Sequence, residues 1–221
     1  MDALIRAEFH THTCYSHDSL VKIDDFLDTC NKKGLDRVAI TDHNEIKGAF
    51  IAKELDPERV IVGEEIQTTQ GEVLGYFIKD HIPAGLTPMQ TIEALKAQDA
   101  FISIAHPFDP HRGTTWSESS LAEISPYIDA IEIFNARCLS NRANLQAEAY
   151  ARKHHLAGMV GSDAHSLYEL GRASLLLPAF DDADSLRKAL VSARRDDRLS
   201  GTWVHLISLY AKIVKRISKP H

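Results

Sequence analysis

Histidine and carboxylate residues recur in short motifs along this chain, and their spacing suits metal binding. His10 and His12 are two positions apart, and so are Asp163 and His165. Residues two apart on a strand point to the same side, so each pair can hold one ion. Each pair alone is equally compatible with solvated surface side chains, and only the whole set favours a metal site. The candidate ligands are His10, His12, Asp18, His43, Glu65, His106, Asn135, Asp163 and His165.

The number and type of these donors indicate the chemistry. A structural zinc site uses four ligands, whereas this set holds twice as many, so two or three divalent ions bridged by carboxylates are expected. The set contains no thiolate, which favours Mn, Zn or Fe over Cu(I). Ion clusters of this kind activate a water molecule and bind both the attacking and the leaving oxygen of a phosphoryl group. The donors therefore predict a hydrolase that acts on phosphoric esters.

Short apolar runs alternate with longer amphipathic stretches along the chain. The runs predict strands at 3–9, 37–40, 60–62, 73–78, 101–105, 130–134, 158–160 and 173–177. Helical periodicity is found at 23–33, 88–98, 139–155 and 184–195. This alternation predicts an α/β fold with a mostly parallel sheet, open or closed into a barrel. Most candidate ligands follow the ends of these strands, and in a barrel such ends meet on one face, where active sites are built.

The composition excludes several classes of protein. With 44% hydrophobic and 25% charged residues, the 221-residue chain is globular rather than disordered. Its net charge of -6 gives no general attraction to nucleic acid, so no stable nucleic-acid complex is expected. The three cysteines lack CxxC spacing and the N-terminus lacks a signal pattern, which favours the cytoplasm.

The motifs, taken together, resemble the PHP (polymerase and histidinol phosphatase) superfamily of metal-dependent phosphoesterases. The resemblance covers about residues 4–180 and keeps the order of the family's motifs, and the later E-L-G-R favours the nucleotide-acting branch. In chain order the motifs read H-T-H-T…Y-S-x-D-S from His10, T-D-H-N from Thr41, G-E-E-I from Gly63, A-H-P from Ala105, I-E-I-F-N from Ile131 and G-S-D-A-H from Gly161.

The resemblance implies a distorted (β/α)7 barrel over residues 1–200, with a trinuclear metal centre and a metal-activated water that attacks phosphorus. One ion would be held by His10, His12, Glu65 and Asp163. A second would share Glu65 and add His106, with a further ligand near Asn135. A third would be held by Asp18, His43 and His165.

Other residues are candidates for contact with the substrate. Arg137 and Arg172 could hold a phosphate group, since arginine offers bidentate charge-assisted bonds, although each is also compatible with a surface salt bridge. His17 stands beside an aspartate ligand as a possible acid, base or substrate contact, and some relatives place the ligand at this earlier position. His111 could border the substrate. Glu72 replaces a histidine of many nucleotide-acting relatives, either as a ligand, as a substrate-facing residue or as a neutral change.

The leading prediction is a phosphoesterase for a small phosphorylated substrate, either a phosphomonoester or a nucleotide. Nucleotide-acting relatives often carry an inserted domain, but only about forty residues separate Glu65 from His106, so such an insertion is missing here. The alternatives are a histidinol-phosphate phosphatase, an exonuclease or cyclic phosphodiesterase, and a non-catalytic metal-binding PHP module.

The C-terminal segment, residues 201–221, is interpreted separately. Apolar residues recur at helical spacing over 203–217, with Lys212, Lys215 and Arg216 on other faces. This pattern predicts an amphipathic basic helix that either packs on the barrel or contacts a membrane surface.

Overall fold

The computed structural model describes residues 3–113 and 115–218, which form a mixed α/β fold. The strands are β1 (Ile5–Glu8), β2 (Arg37–Ile40), β3 (Val60–Gln67), β4 (Glu72–Tyr76), β5 (Phe101–Ile104), β6 (Ala130–Asn135), β7 (Ala157–Gly161), β8 (Ala173–Leu177) and β9 (Arg194–Asp197). The helices are α1 (Ile23–Lys32), α2 (Lys47–Leu55), α3 (Pro88–Lys96), α4 (Glu118–Ile124), α5 (Asn141–His154), α6 (Ala183–Ala189) and α7 (Val204–Ser218).

All the described strands belong to one sheet, in the order β7-β6-β5-β4-β3-β2-β1-β8-β9. Pairing is parallel in β1–β2, β2–β3, β5–β6 and β6–β7 and antiparallel in the other four pairs, so the expectation of a mostly parallel sheet was wrong. The short connection 68–71 turns β3 directly into β4 and leaves no room for a crossover helix.

The sheet closes almost completely on itself. A parallel bridge joins Thr11, after β1, to Ala164, after β7. The backbone N–H of His12 donates to the Ala164 carbonyl at 2.8 Å across this seam. The nearly closed sheet confirms the predicted distorted barrel of the PHP type.

Two apolar clusters hold helices against the sheet. One cluster packs the five helices α1, α2, α3, α4 and α5 against the strands, and the other packs α6 against them. Adjacent residues Ala39 and Ile40 of β2 belong to different clusters, because successive side chains of a strand point to opposite faces. A fully buried large apolar side chain such as Phe26 contributes about 1.5–3 kcal/mol to stability.

The segment predicted as a helix at 184–195 is interrupted. Helix α6 ends at Ala189, a short 3₁₀ turn follows, and residues 194–197 form the edge strand β9. This strand reads Arg-Arg-Asp-Asp, so it shows no apolar alternation from which it could have been predicted. Charged side chains on an edge strand discourage pairing with other chains.

Helix α7 packs against the barrel with one face. Val204 and Ala211 are buried, whereas Leu206, Tyr210 and Ile217 on another face are more than half exposed. Contact of that exposed face with a membrane surface stays a prediction. Among the described residues, no helix is both long and apolar enough to cross a bilayer.

Candidate metal centre

Five strands bring the candidate ligands to one face of the barrel. His10 and His12 follow β1, and Asp163 and His165 follow β7. Glu65 differs from the others, because β3 continues to Gln67 and the residue lies inside the strand rather than after it. An isolated parallel bridge pairs Glu65 with His43, which brings the β2 and β3 ligands together.

Four ligand atoms lie close together at the middle of the centre. The Nε2 atom of His10 is 3.3 Å from Glu65 Oε2 and 3.7 Å from Asp163 Oδ1. The Nε2 atom of His12 lies 3.4 Å and 3.2 Å from the same two oxygens. Ligand atoms about 2.1 Å from one tetrahedral ion would be about 3.4 Å apart, so the spacing fits a shared ion.

Glu65 extends this group to a neighbouring one. Its other oxygen, Oε1, lies 3.0 Å from His106 Nε2, and Glu72 Oε2 is 3.5 Å from the same nitrogen. Glu72 also lies 3.8 Å from His43 Nδ1. The structure therefore places Glu72 among ligand-type atoms, and its side chain also lines the cavity above them.

A third group surrounds Asp18. Its Oδ1 atom lies 3.2 Å from His165 Nε2 and its Oδ2 atom lies 3.6 Å from His43 Nε2. The His17 imidazole is 3.7 Å from Asp18 Oδ2, and 63% of its side chain is exposed. Of the two neighbours, Asp18 is therefore the one directed into the cluster of ligand residues.

Buried polar atoms without hydrogen-bond partners are a further sign, besides the motifs, that this centre fits metal ions. Buried polar atoms normally form hydrogen bonds, and a buried atom without one is costly. Five buried atoms in this cluster form no hydrogen bond with any described residue, and all five are ligand-type atoms. They are His10 Nε2, His12 Nε2, Asp18 Oδ1, Glu65 Oε2 and Asp163 Oδ1.

In three of the histidines, the Nδ1 atom forms a hydrogen bond with another protein group. His10 Nδ1 donates to Glu132 Oε1 at 3.0 Å, and His165 Nδ1 donates to the Asp163 carbonyl at 2.8 Å. His12 Nδ1 donates to Ser16 Oγ at 2.9 Å, because the Ser16 hydroxyl itself donates to a buried carboxylate. In its neutral form, each imidazole therefore carries its proton on Nδ1 and presents the lone pair of Nε2, as metal-binding histidines do.

Electrostatics differ between the ligands of this centre. Burial alone would lower the pKa of His10 and of His43, but the facing Glu65 carboxylate raises both pKa values well above the ordinary one, so each imidazole would release a proton on binding a metal ion. Burial alone would raise the pKa of the Glu65 carboxyl, but the nearby His10 and His43 imidazoles hold that pKa well below its usual range. Burial lowers the pKa of His12 well below its ordinary value, and neighbouring imidazoles lower it further. Glu65 is therefore a carboxylate and His12 a neutral imidazole, which are the states that bind metal ions.

Two of the ligand positions have unusual backbone conformations. His106 has a φ of 23° and Asp163 a φ of 54°, in the left-handed region that non-glycine residues seldom adopt. Such conformations persist where surrounding structure enforces them, commonly at functional sites. Here they direct two side chains into the cluster.

Asn135 does not lie among the ligand atoms. Its Nδ2 donates to Glu132 Oε2 at 3.0 Å and to Asp163 Oδ2 at 3.2 Å, and its Oδ1 accepts from the Arg137 backbone N–H. Both ends of the amide are therefore engaged with other protein groups. The side chain positions Asp163 and Glu132, in contrast to the predicted role as a ligand.

A cavity of about 530 Å³ opens above the cluster. Its lining includes His17, Glu72, His111 and Arg137, four of the residues predicted to contact substrate or to act in catalysis. Arg172 is not brought to this cavity. It lies over the ring of Tyr168, 4.3 Å from the ring centroid, and donates to the Tyr168 hydroxyl.

Arg137 is near the predicted place, but its guanidinium is occupied. Its Nε lies 3.3 Å from Glu169 Oε1, and its Nη2 donates to Ser208 Oγ at 2.7 Å and to the Val204 carbonyl at 3.3 Å. The side chain is 4% exposed. These contacts fasten α7 to the loop after β6, so Arg137 positions structure around the cavity.

Sequence analysis gave no role to Glu132 and did not identify Arg112 as the partner of a ligand. Arg112 pairs with Asp163 and lies 3.2 Å from Asp109 Oδ2, which places a cation at the edge of the ligand cluster. Glu132 did give a signal, because it is a carboxylate within the apolar run 130–134.

Gly161 provides a test of how tightly this centre is packed. A Cβ atom at this position would come within 2.2 Å of Glu132 Oε1 and 2.5 Å of His10 Cβ. Gly161→Ala is therefore expected to displace both side chains, to lower stability by about 1–3 kcal/mol and to reduce bound metal. Thermal unfolding and metal analysis measure this. Gly113→Ala is the control for stability, since neither glycine has a positive φ and the added Cβ at Gly113 meets nothing within 4 Å; wild-type metal content in Gly161→Ala would contradict the prediction.

Two segments of the chain match sequence models of known families. A sequence model of the PHP domain matches residues 8–63, and a PHP-associated model matches residues 141–194. The uncharacterized protein MJ0417 of Methanocaldococcus jannaschii is 34% identical over 172 residues, which cover 76% of this chain and 69% of that protein.

Two solved structures share the fold. A two-domain protein from Bacteroides vulgatus that contains a predicted PHP-like metal-dependent phosphoesterase superposes with a TM-score of 0.71 at 20% identity, covering 89% of this chain and 66% of that one. The lesion-specific endonuclease EndoQ from Pyrococcus furiosus gives 0.66 at 18% identity, covering 87% and 57%. At these identities the likeness concerns the fold alone. The matched sequence models and the archaeal relative show that this chain belongs to the PHP domain family.

Proposed function

We propose that this protein hydrolyses phosphate esters and uses two or three divalent ions, with Mn, Zn or Fe as the preferred metals. The observation that carries the proposal is the convergence of five buried ligand-type atoms that form no hydrogen bond with the described residues. Membership of the PHP family and the fold shared with a PHP-like phosphoesterase support it.

Ions bound in such a centre polarise a phosphate ester and activate water for attack. The chain itself holds the ligands in place, through the hydrogen bonds of Glu132 and Ser16 to the imidazoles of His10 and His12. His17 extends into the cavity without belonging to the buried cluster. We assign to it the transfer of a proton to the leaving oxygen, since imidazole commonly serves as a general acid.

The size of the cavity and the charge of the chain favour a small substrate. A volume of about 530 Å³ lies within the range of small-molecule sites. The net charge of -6 disfavours a stable complex with nucleic acid. A small phosphomonoester is therefore proposed first, with nucleotides within the same class.

The test is a hydrolysis screen of protein reconstituted separately with Mn, Zn, Fe and Mg after metal analysis. The substrates are an aryl phosphate, nucleotides, histidinol phosphate, cyclic nucleotides and oligonucleotides. Metal-dependent release of phosphate from monoesters is expected. Preference for histidinol phosphate or for a diester would assign one of the alternative activities, and bound metal without any hydrolysis would leave a non-catalytic module.

A further inference from the structure

Helix α7 forms one wall of the cavity above the metal centre. His205, Ser208, Leu209 and Lys212 all line the cavity, and their spacing of i, i+3, i+4 and i+7 places them on one helical face. The helix lies outside the segments 8–63 and 141–194 that match the family's sequence models. This wall is therefore contributed by a part of the chain that those models do not cover.

The helix is fastened near both ends to loops on this face of the barrel, and the loop after β1 carries ligands. Near its start, His205 Nε2 donates to the Arg137 carbonyl at 3.0 Å, next to the β6 loop. Near its end, Lys215 Nζ donates to the Cys14 carbonyl at 2.6 Å and to the Ser16 carbonyl, in the loop after β1. These contacts fix the height of the cavity-facing residues above the metal centre.

Lys212 differs from the other cations of the cavity. Arg112 is paired with two aspartates, and Arg137 is held by Glu169 and by α7. The Lys212 ammonium lies 3.5 Å from Asp18 Oδ2, 49% of its side chain is exposed, and it makes no hydrogen bond with a described residue. It is therefore a solvent-facing positive charge beside a candidate metal ligand.

We propose that Lys212 binds a phosphate oxygen of the substrate, so that α7 is part of the substrate site and not only a structural cover. The proposal rests on the proposed function, since it names a phosphate-binding residue of that same site. An ammonium group is a compact charge with three donors, and lysine commonly binds phosphate in this manner. Its position beside Asp18 places it at the edge of the ligand cluster, where a phosphate ester would enter.

The competing role for Lys212 is to neutralise Asp18 and so to hold that ligand in place. The two roles differ in what they change. Loss of a substrate contact weakens phosphate binding while metal content is preserved, whereas loss of a positioning contact lowers metal content first.

The experiment compares metal-loaded wild type with Lys212→Met and with Arg216→Met, one turn further along the same helix. Arg216 is exposed and does not line the cavity, so it controls for loss of a positive charge on α7. Calorimetry measures binding of inorganic phosphate, and steady-state kinetics measures hydrolysis of an aryl phosphate. Thermal unfolding and metal analysis accompany both.

In Lys212→Met, the Kd for phosphate and the KM are expected to rise roughly tenfold, the effect of losing one charged hydrogen bond, with kcat and metal content nearly unchanged. Arg216→Met should behave as wild type. Wild-type phosphate affinity in Lys212→Met, or metal loss without weaker phosphate binding, would overturn the proposal. If no variant hydrolyses any ester but phosphate binding still depends on Lys212, the proposed function fails while this inference stands.

Discussion

Alanine at both His10 and His12 is expected to abolish metal-dependent hydrolysis, with a fall in kcat/KM of at least about 10³-fold, and to lower bound metal. The Nε2 atoms of both residues face the same two carboxylate oxygens within 3.2–3.7 Å. Removing both imidazoles leaves Glu65 and Asp163 without two of their partners, so the middle of the centre can no longer hold an ion. Aryl phosphate turnover and metal analysis measure the effect.

A matched control is His155→Asn. His155 is exposed at the end of α5 with a φ of 56°, which asparagine tolerates, and it lies outside the cavity lining. This variant should keep wild-type turnover and metal content. Thermal unfolding confirms that the double variant is folded before its activity is read, and undiminished turnover in a folded double variant would refute the proposed function.

Glu132→Gln is expected to weaken metal binding and turnover by about 10- to 100-fold although no metal ligand is changed. Glu132 accepts hydrogen bonds from His10 Nδ1, from the His106 backbone N–H and from Asn135 Nδ2. An amide accepts through only one of its two ends, so at least one of these donors would face an NH₂ group. Titration of metal-free protein with Mn or Zn measures the loss of affinity.

Glu123→Gln serves as the control for this change. Glu123 is an exposed residue of α4 and has no part in the ligand cluster. It should bind metal as the wild type does. Equal metal affinity in Glu132→Gln and wild type would show that the His10 orientation does not depend on Glu132.

The ligand motifs were readable from the sequence because each stands at or near a strand end. Apolar runs marked the strands, and the geometry of a barrel then required the residues that follow them to meet. Sequence analysis preferred Asp18 to His17 as the ligand, although the spacing of adjacent loop residues does not show which side chain points inward. In the structure, Asp18 is buried and lies 3.2 Å from His165 and 3.6 Å from His43.

The role of Asn135 was not predictable for a related reason. Asn135 stands three positions after Glu132, and on a regular strand residues three positions apart face opposite sides. The register of β6 against β7 shifts between Glu132 and Phe134, so both side chains reach the same network. A local irregularity of this kind leaves no trace in residue spacing.

The cavity wall on α7 was also hidden from sequence analysis. The apolar residues of 203–217 dominate the periodic pattern. They indicated which face of the helix packs on the barrel, but not that another part of the helix lines a cavity. His205 and Lys212 gain their place from contacts at the two ends of the helix, with Arg137 and with the loop after β1. These contacts join residues far apart in the chain, where local patterns carry no information.

The seam between β1 and β7 has a consequence for how the chain keeps its shape. Backbone hydrogen bonds around Thr11 and Ala164 join the segments that follow β1 and β7, and ligands stand on both sides of this seam, His10 and His12 on one and Asp163 on the other. An ion shared by these residues would cross-link two segments separated by about 150 residues. Closing so long a loop restricts the unfolded chain, so the centre would lock the barrel shut as well as perform chemistry.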